Sequence, residues 1–175
     1  IHNLLHIANN DNVINKSKSN NTMTGTVFTT LTPSDGMLLN WDRRAIMTEN
    51  GNFAASVRLY GHRYSGSDTR VGAYYVYLVK VARDGNGNWT SGTVVDAAEI
   101  NIVFIANSTG TSNVVLGGVF EAGDEMGIVM FKYDSAPEWE LYAWGGDNRM
   151  ISDSKVNMDQ AYAQPVRTSF IWWKL

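Results

Sequence analysis

Cysteine is absent from this 175-residue chain, which excludes disulfide staples, thiolate nucleophiles and thiolate metal sites. Stability outside a cell must then come from packing or oligomerisation. Charge is sparse as well, with 18% of residues charged and a formal net charge of -3. The nearest approach to a basic cluster, Asp42-Arg43-Arg44, carries its own acid. A phosphate backbone requires clustered Lys and Arg, so nucleic acid is not an expected partner. No apolar run reaches the length of a membrane-spanning helix, and no membrane insertion is expected. Ile1 stands where Met would open a complete chain, so a fragment or processed product is expected, with any targeting signal upstream.

Catalytic residues are equally scarce. The histidines are His2, His6 and His62, and only His62 has a serine and an acid close by, Ser65 and Asp68, in a loop without a nucleophile elbow. A solvated loop histidine explains it. Glu138, Glu140 and Asp147 lie among aromatics, a mixture that glycosidases use, yet Glu138 and Glu140 share one strand face, where a charged pair marks the wet side. The series Asp84, Asn86, Asn88 repeats the opening ligands of a calcium loop, but Val95 stands where the closing Glu belongs and a hairpin turn accounts for every residue. The expectation is a protein that is not an enzyme, with no metal and no cofactor.

What the chain does have is aromatic and apolar residues in short runs. Six Trp, eight Tyr and six Phe are enough to fill a core at this length. From Thr26 onward these runs are divided by Gly, Asn, Asp and Ser clusters, the spacing of an all-β sandwich. Strands are predicted over Thr26–Leu31, Phe53–Tyr60, Val71–Ala82, Ile100–Ala106, Val114–Glu121, Met126–Tyr133, Glu138–Trp144 and Val166–Leu175. In the second of these, Phe53, Ala55, Val57 and Leu59 share a face, with Ser56 and Arg58 on the other. Asp84-Gly85-Asn86-Gly87-Asn88 supplies residues that tolerate positive φ, which predicts a hairpin. Ser152–Ala163 is the one stretch with room for a short helix.

Residues 1–25 differ in composition, being rich in Asn, Ser and Lys from Asn9 to Asn21. They are expected to form a stalk or linker ordered only against neighbours or other copies of itself, with disorder as the alternative, ahead of a head domain over 26–175. Triplets of the glycosylation type begin at Asn15, Asn20, Asn88 and Asn107, as chance produces in a chain rich in Asn and Thr.

Two strands have apolar residues on both faces. Over Val71–Ala82 one face carries Val71, Ala73, Tyr75, Tyr77, Val79 and Val81, and the other Tyr74, Val76 and Leu78. In the closing segment Phe170 and Trp172 point one way, while Ile171, Trp173 and Leu175 point the other. A sandwich core takes one side only, so the second is expected to meet another surface. A subunit interface containing Tyr75, Tyr77, Phe170, Trp172 and Trp173 is one solution. A long loop folded over the strands is the other.

For ligand binding the strongest stretch runs from Glu138 to Arg149. Trp139, Tyr142 and Trp144 offer aromatic faces for sugar C–H surfaces, and Asp147, Asn148 and Arg149 offer hydrogen bonds. Trp89, beside the Asn86-Gly87-Asn88 turn, is a further candidate. Core or interface packing is the competing explanation for all of these aromatics.

With these strands in place, three stretches resemble the jelly-roll heads of the tumour necrosis factor and complement-q superfamily, including the trimeric heads at the tips of phage tail fibres. Gly51-Asn52-Phe53-Ala54-Ala55-Ser56-Val57 looks like the family's early Gly-aromatic strand. Leu116–Phe131 looks like its strand pair, joined through Gly123-Asp124-Glu125, and Thr168–Leu175 takes the place of its aromatic final strand near the trimer axis. The sequence departs from that pattern at Ala55, where a second aromatic belongs, and after Phe170, where no Gly follows. The resemblance implies an antiparallel jelly-roll homotrimer that acts as a viral receptor-binding tip, on a virion or otherwise extracellular, and recognises a host cell-surface glycan or protein. A trimerisation or capsid-decoration protein without a ligand, and a carbohydrate-binding module of a secreted enzyme, are the alternatives.

Overall fold

The structure is a computed structural model that describes residues 3–6, 12–14, 16–18, 28–41, 43–63, 68–104, 109–141 and 168–175; for 3–6, 12–14, 62–63, 109–110 and 139–141 it describes the backbone alone. The expected strands Glu138–Trp144 and Val166–Leu175 are therefore described over Trp139–Leu141 and Ser169–Lys174, and the helix considered over Ser152–Ala163 lies outside the described residues.

The chain is an all-β jelly-roll sandwich. The main strands are β7 (Gly51–Arg63), β8 (Arg70–Arg83), β9 (Trp89–Phe104), β10 (Thr109–Phe120), β11 (Glu125–Tyr133) and β13 (Ser169–Lys174). One sheet pairs β13 with β7 and β7 with β10; the other runs β11, β8, β9. The path β7, β8, β9, β10, β11 thus passes from one sheet to the other and back, then over again, as a jelly roll requires. Short strands fill the edges. These are β1 (Asn3–His6), β2 (Asn12–Ile14), β3 (Ser17–Lys18), β4 (Thr30–Leu31), β5 (Met37–Leu38), β6 (Ala45–Ile46) and β12 (Trp139–Leu141).

The N-terminal stretch differs from the expected stalk. β1 pairs with β13, β2 with β12, and β3 runs parallel to β11, so these residues extend both sheets. Their shortness hid this: β1 and β2 hold the apolar Leu4, Leu5, Val13 and Ile14, but runs of two to four residues show no period, and an edge strand gains mainly backbone hydrogen bonds.

Period-two alternation builds the core. Phe53, Ala55, Val57 and Leu59 of β7, Leu116 and Phe120 of β10, and Phe170 and Trp172 of β13 face Tyr74, Val76 and Leu78 of β8 and Ile128 and Met130 of β11. Edge-to-face ring pairs, Phe53 on Phe120 at 6.1 Å and Tyr74 on Phe104 at 6.2 Å, lock the two ends.

β9 is far longer than the predicted Ile100–Ala106. A bulge between Val94 and Asp96 opposite Leu78 and Val79 shifts the alternation, so Val94 packs outward while Ala98, Ile100 and Ile102 pack inward. A strand whose alternation changes phase halfway has no single period to read. The bulge also joins the sheets. Asp96 Oδ2 accepts from Gly117 N at 2.9 Å, and a Cβ on Gly118 would overlap Val95 Cγ1.

The second apolar face of β8 is covered within the chain from Tyr75 to Val81, while Val71 at its start is 62% exposed. Phe28, Leu31 and Leu38 lie over Tyr77, Val79, Val129 and Phe131 as a separate cluster, and Phe131 stacks between Tyr75 at 5.3 Å and Tyr77 at 5.4 Å. Of the two solutions expected for this strand, the covering segment is the one found.

Candidate assembly face

The outward face of the β13–β7–β10 sheet follows from register. Ile171, Ser56 and Val115 form one row across the three strands, and Trp173, Ala54 and Gly117 form the next. Ser169, Arg58 and Asn113 make a third row, and Asn52 lies opposite Val119. Leu175 N then donates to Asn52 O at 2.8 Å, which extends the sheet to the last residue. Leu4 of β1 sits opposite Ile171, at the end of the first row.

These rows are apolar or small at their centre, and Arg58 is their one charged residue among the described residues. Val115 is 64% exposed, Val119 61% and Leu175 75%, while Ile171 and Trp173 are half-buried and Ala54 is buried. Fully covering a Val or Leu side chain contributes roughly 1.5–3 kcal/mol, so even partial cover of this patch is a substantial driving force. Small residues at Ala54, Ser56 and Gly117 leave the centre flat. At one end of the face Thr168 Oγ1 accepts from Tyr60 N at 3.0 Å and donates to Tyr60 O at 2.9 Å, bonding residue 168 to β7 just before β13 begins.

The five residues expected at an interface divide. Phe170, at 1% exposure, and Trp172 belong to the sandwich core, and Tyr77 lies under the segment that covers β8; all three are buried, on the inner side or beneath that segment, and none lies on the outward face of the β13 sheet. Tyr75 and Trp173 are half-buried, and Trp173 alone of the five lies on the outward face of the β13 sheet. Burial pushes the phenols of Tyr75 and Tyr77 above their ordinary value, with Glu99 and Tyr133 adding to the effect at Tyr75, and Tyr75 at Tyr77. Val115, Val119 and Ala54 went unnoticed. The two-faced test that singled out β8 and β13 also picks out Val114-Val115-Leu116 and Val119-Phe120, where apolar side chains leave both sides of one strand.

The candidate ligand residues Tyr142, Trp144, Asp147, Asn148 and Arg149 lie outside the described residues. Trp139 opens β12, with Ile14 and Arg63 as its register partners. Trp89 opens β9 and packs, half-buried, against the cluster over β8. Asp84 Oδ1 accepts from Asn86 N at 2.9 Å and Asn88 N at 3.1 Å, so this carboxylate closes its own turn. Asp68 is exposed, whereas Ser65 lies outside the described residues.

No family model matches the sequence, and no curated protein does. Among solved structures the chain is similar to one described as Eiger TNF from S. frugiperda, with 8% identity and a TM-score of 0.37, over 99% of this chain and 85% of that one. Assignment to the all-β jelly-roll sandwich rests on the strand pairing of this chain.

Proposed function

We propose that this chain is an oligomeric binding head: a homotrimer, formed through the outward face of the β13–β7–β10 sheet, that serves as the receptor-binding tip of a viral fibre and recognises a cell-surface glycan or protein. One observation carries the reading. A sheet face whose described rows carry one charged residue, Arg58, leaves Val115, Val119 and Leu175 largely in water, beside the half-buried Ile171 and Trp173. A second copy suits this face because neither partner then buries an uncompensated cluster of charge. Contacts that close around an axis give a ring of fixed size, and three is the number that the resemblance to jelly-roll heads implies.

Function follows from presentation. Three linked copies of a weak site convert later contacts into intramolecular ones and raise avidity without new chemistry. The test is a glycan and cell-surface array probed with the native protein and with Val115→Lys, which places a charge in the middle row. Saturable binding by the native protein that weakens by about a hundredfold in the variant is the expected result. Native protein that assembles but binds nothing saturably would leave the reading of a structural cap, and a monomer that binds with full strength would leave that of a carbohydrate-binding module.

A further inference from the structure

Beside β6 and β13 the sandwich holds a cleft of about 250 Å³. Ile46, Met47, Phe53 and Trp172 line its apolar part; Ile46 is exposed, and the other three belong to the main core cluster. Thr48, Glu49 and Lys174 line its polar part. Sequence places these groups together simply. Lys174 follows Trp172 by two residues and lies opposite Phe53 in register, so all three leave the sheet on the same side, the ammonium beyond the rings.

The polar rim is an exposed ion pair. Lys174 Nζ lies 3.4 Å from Glu49 Oε2, and the two side chains are 42% and 58% exposed, so each retains hydrogen-bonding capacity toward the cleft. The Lys174 stem passes over Gly51, where a Cβ would come within 2.5 Å of Cε. Glycine there allows the stem to lie against the backbone.

We propose that this cleft binds a single pyranose ring of a neutral glycan. Its volume lies below the ~300–1,000 Å³ typical of drug-sized pockets, which limits it to one ring. A paired carboxylate and ammonium leave the rim without net charge. Glu49 opposes a phosphate or carboxylate ligand, and Lys174 opposes a polyamine. A wholly apolar ligand would strip water from both charges and return nothing to them. A pyranose has matching chemistry: an apolar C–H face for Ile46, which is 46% exposed, and for the small exposed parts of Trp172 and Phe53, and hydroxyls that donate to Glu49 and accept from Lys174. The proposal rests on the glycan arm of the proposed function. It does not depend on the trimer, because every lining residue belongs to one chain.

The experiment is a titration of the isotope-labelled protein with a panel of neutral methyl pyranosides, following the indole N–H of Trp172 by NMR, alongside the glycan array. At least one pyranoside is expected to shift the Trp172 signal saturably. Glu49→Gln and Lys174→Met, both changes of exposed side chains, are each expected to weaken that binding by about tenfold, as loss of a charged hydrogen bond does. Array binding that persists unchanged in both variants, with Trp172 unmoved by every pyranoside, would overturn the cleft while leaving the receptor reading intact. Silence in both array and titration would remove both. A Trp172 shift caused by free zwitterionic amino acids but by no pyranoside would overturn the ligand class.

Discussion

The carboxamide of Asn40 takes the place of a peptide group on the edge of β11: its Nδ2 donates to the carbonyl of Met126 at 3.1 Å, and its Oδ1 accepts from Ile128 N at 3.2 Å. β5 and β6 both pair with this edge, at Val129–Met130 and Glu125–Met126, and the chain leaves it between them. Leu39 N donates to Ile128 O at 2.8 Å, after which the side chain of Asn40, itself fully buried, continues the ladder. Asn40→Ala is expected to cost about 2–4 kcal/mol, because a buried N–H and a buried carbonyl each lose a partner. Asn40→Asp should cost at least as much, since a carboxylate would face the carbonyls of Met126 and Arg43. Urea unfolding midpoints check both.

Arg83 and Glu125 form a second internal tie. The guanidinium Nε lies 3.0 Å from both carboxylate oxygens, Nη2 donates to Oε1 at 2.7 Å, and Nη1 donates to the carbonyls of Trp41 and Gly87, each at 2.9 Å. Both side chains are 7% exposed. Removing either partner alone leaves a buried charge, so Arg83→Met and Glu125→Leu should each destabilise by about 3–5 kcal/mol. The double change Arg83→Met with Glu125→Leu should recover a large part of that loss, which a double-mutant cycle in denaturant measures.

The joint between the sheets gives a steric prediction. Gly118→Ala should cost about 1–3 kcal/mol by overpacking against Val95, and combination with Val95→Ala should return most of it. Equal losses in the single and the combined variant would show that the close approach of β9 and β10 does not limit this position.

Acid should weaken the attachment of β3. Burial pushes the Asp35 carboxyl up, but hydrogen bonds from Lys18 Nζ at 2.8 Å, Thr32 N at 2.9 Å and Thr32 Oγ1 at 3.1 Å, with the charge of Lys18, outweigh it and hold the group below its ordinary 3.8. A carboxyl depressed on folding contributes stability that is complete above its unfolded pKa and disappears as pH falls through the folded value. Stability measured between about pH 5 and pH 2 should therefore fall less steeply in Asp35→Asn than in the native protein. Identical slopes would contradict the assignment.

Much of this architecture was legible from alternation, and what escaped did so for physical reasons. Phe53–Leu59 and the closing Phe170–Trp172 place their alternate side chains in the core as their period requires. The first half of β9 was hidden by its bulge, and β1, β2 and β3 by their shortness, because backbone pairing over two to four residues at an edge leaves little trace in side-chain pattern. For the site, the two-faced character of β8 demanded a second covering surface, which the chain supplies. That character did not say whose. Phe28, Leu31 and Leu38 supply it for β8, and neither their number nor their spacing announces a lid. The outward face of β13 needed its neighbours as well, since only register brings Ile171, Ser56 and Val115 into one row.

Sedimentation equilibrium of the native protein against Val115→Lys tests self-association through that row most directly. The native chain should sediment at three times its 19.4 kDa mass, and the lysine variant should shift toward a single chain while retaining its far-ultraviolet β signature. A native protein that stays at one chain mass across the concentration range, or a lysine variant that associates as strongly as the native form, would contradict the account.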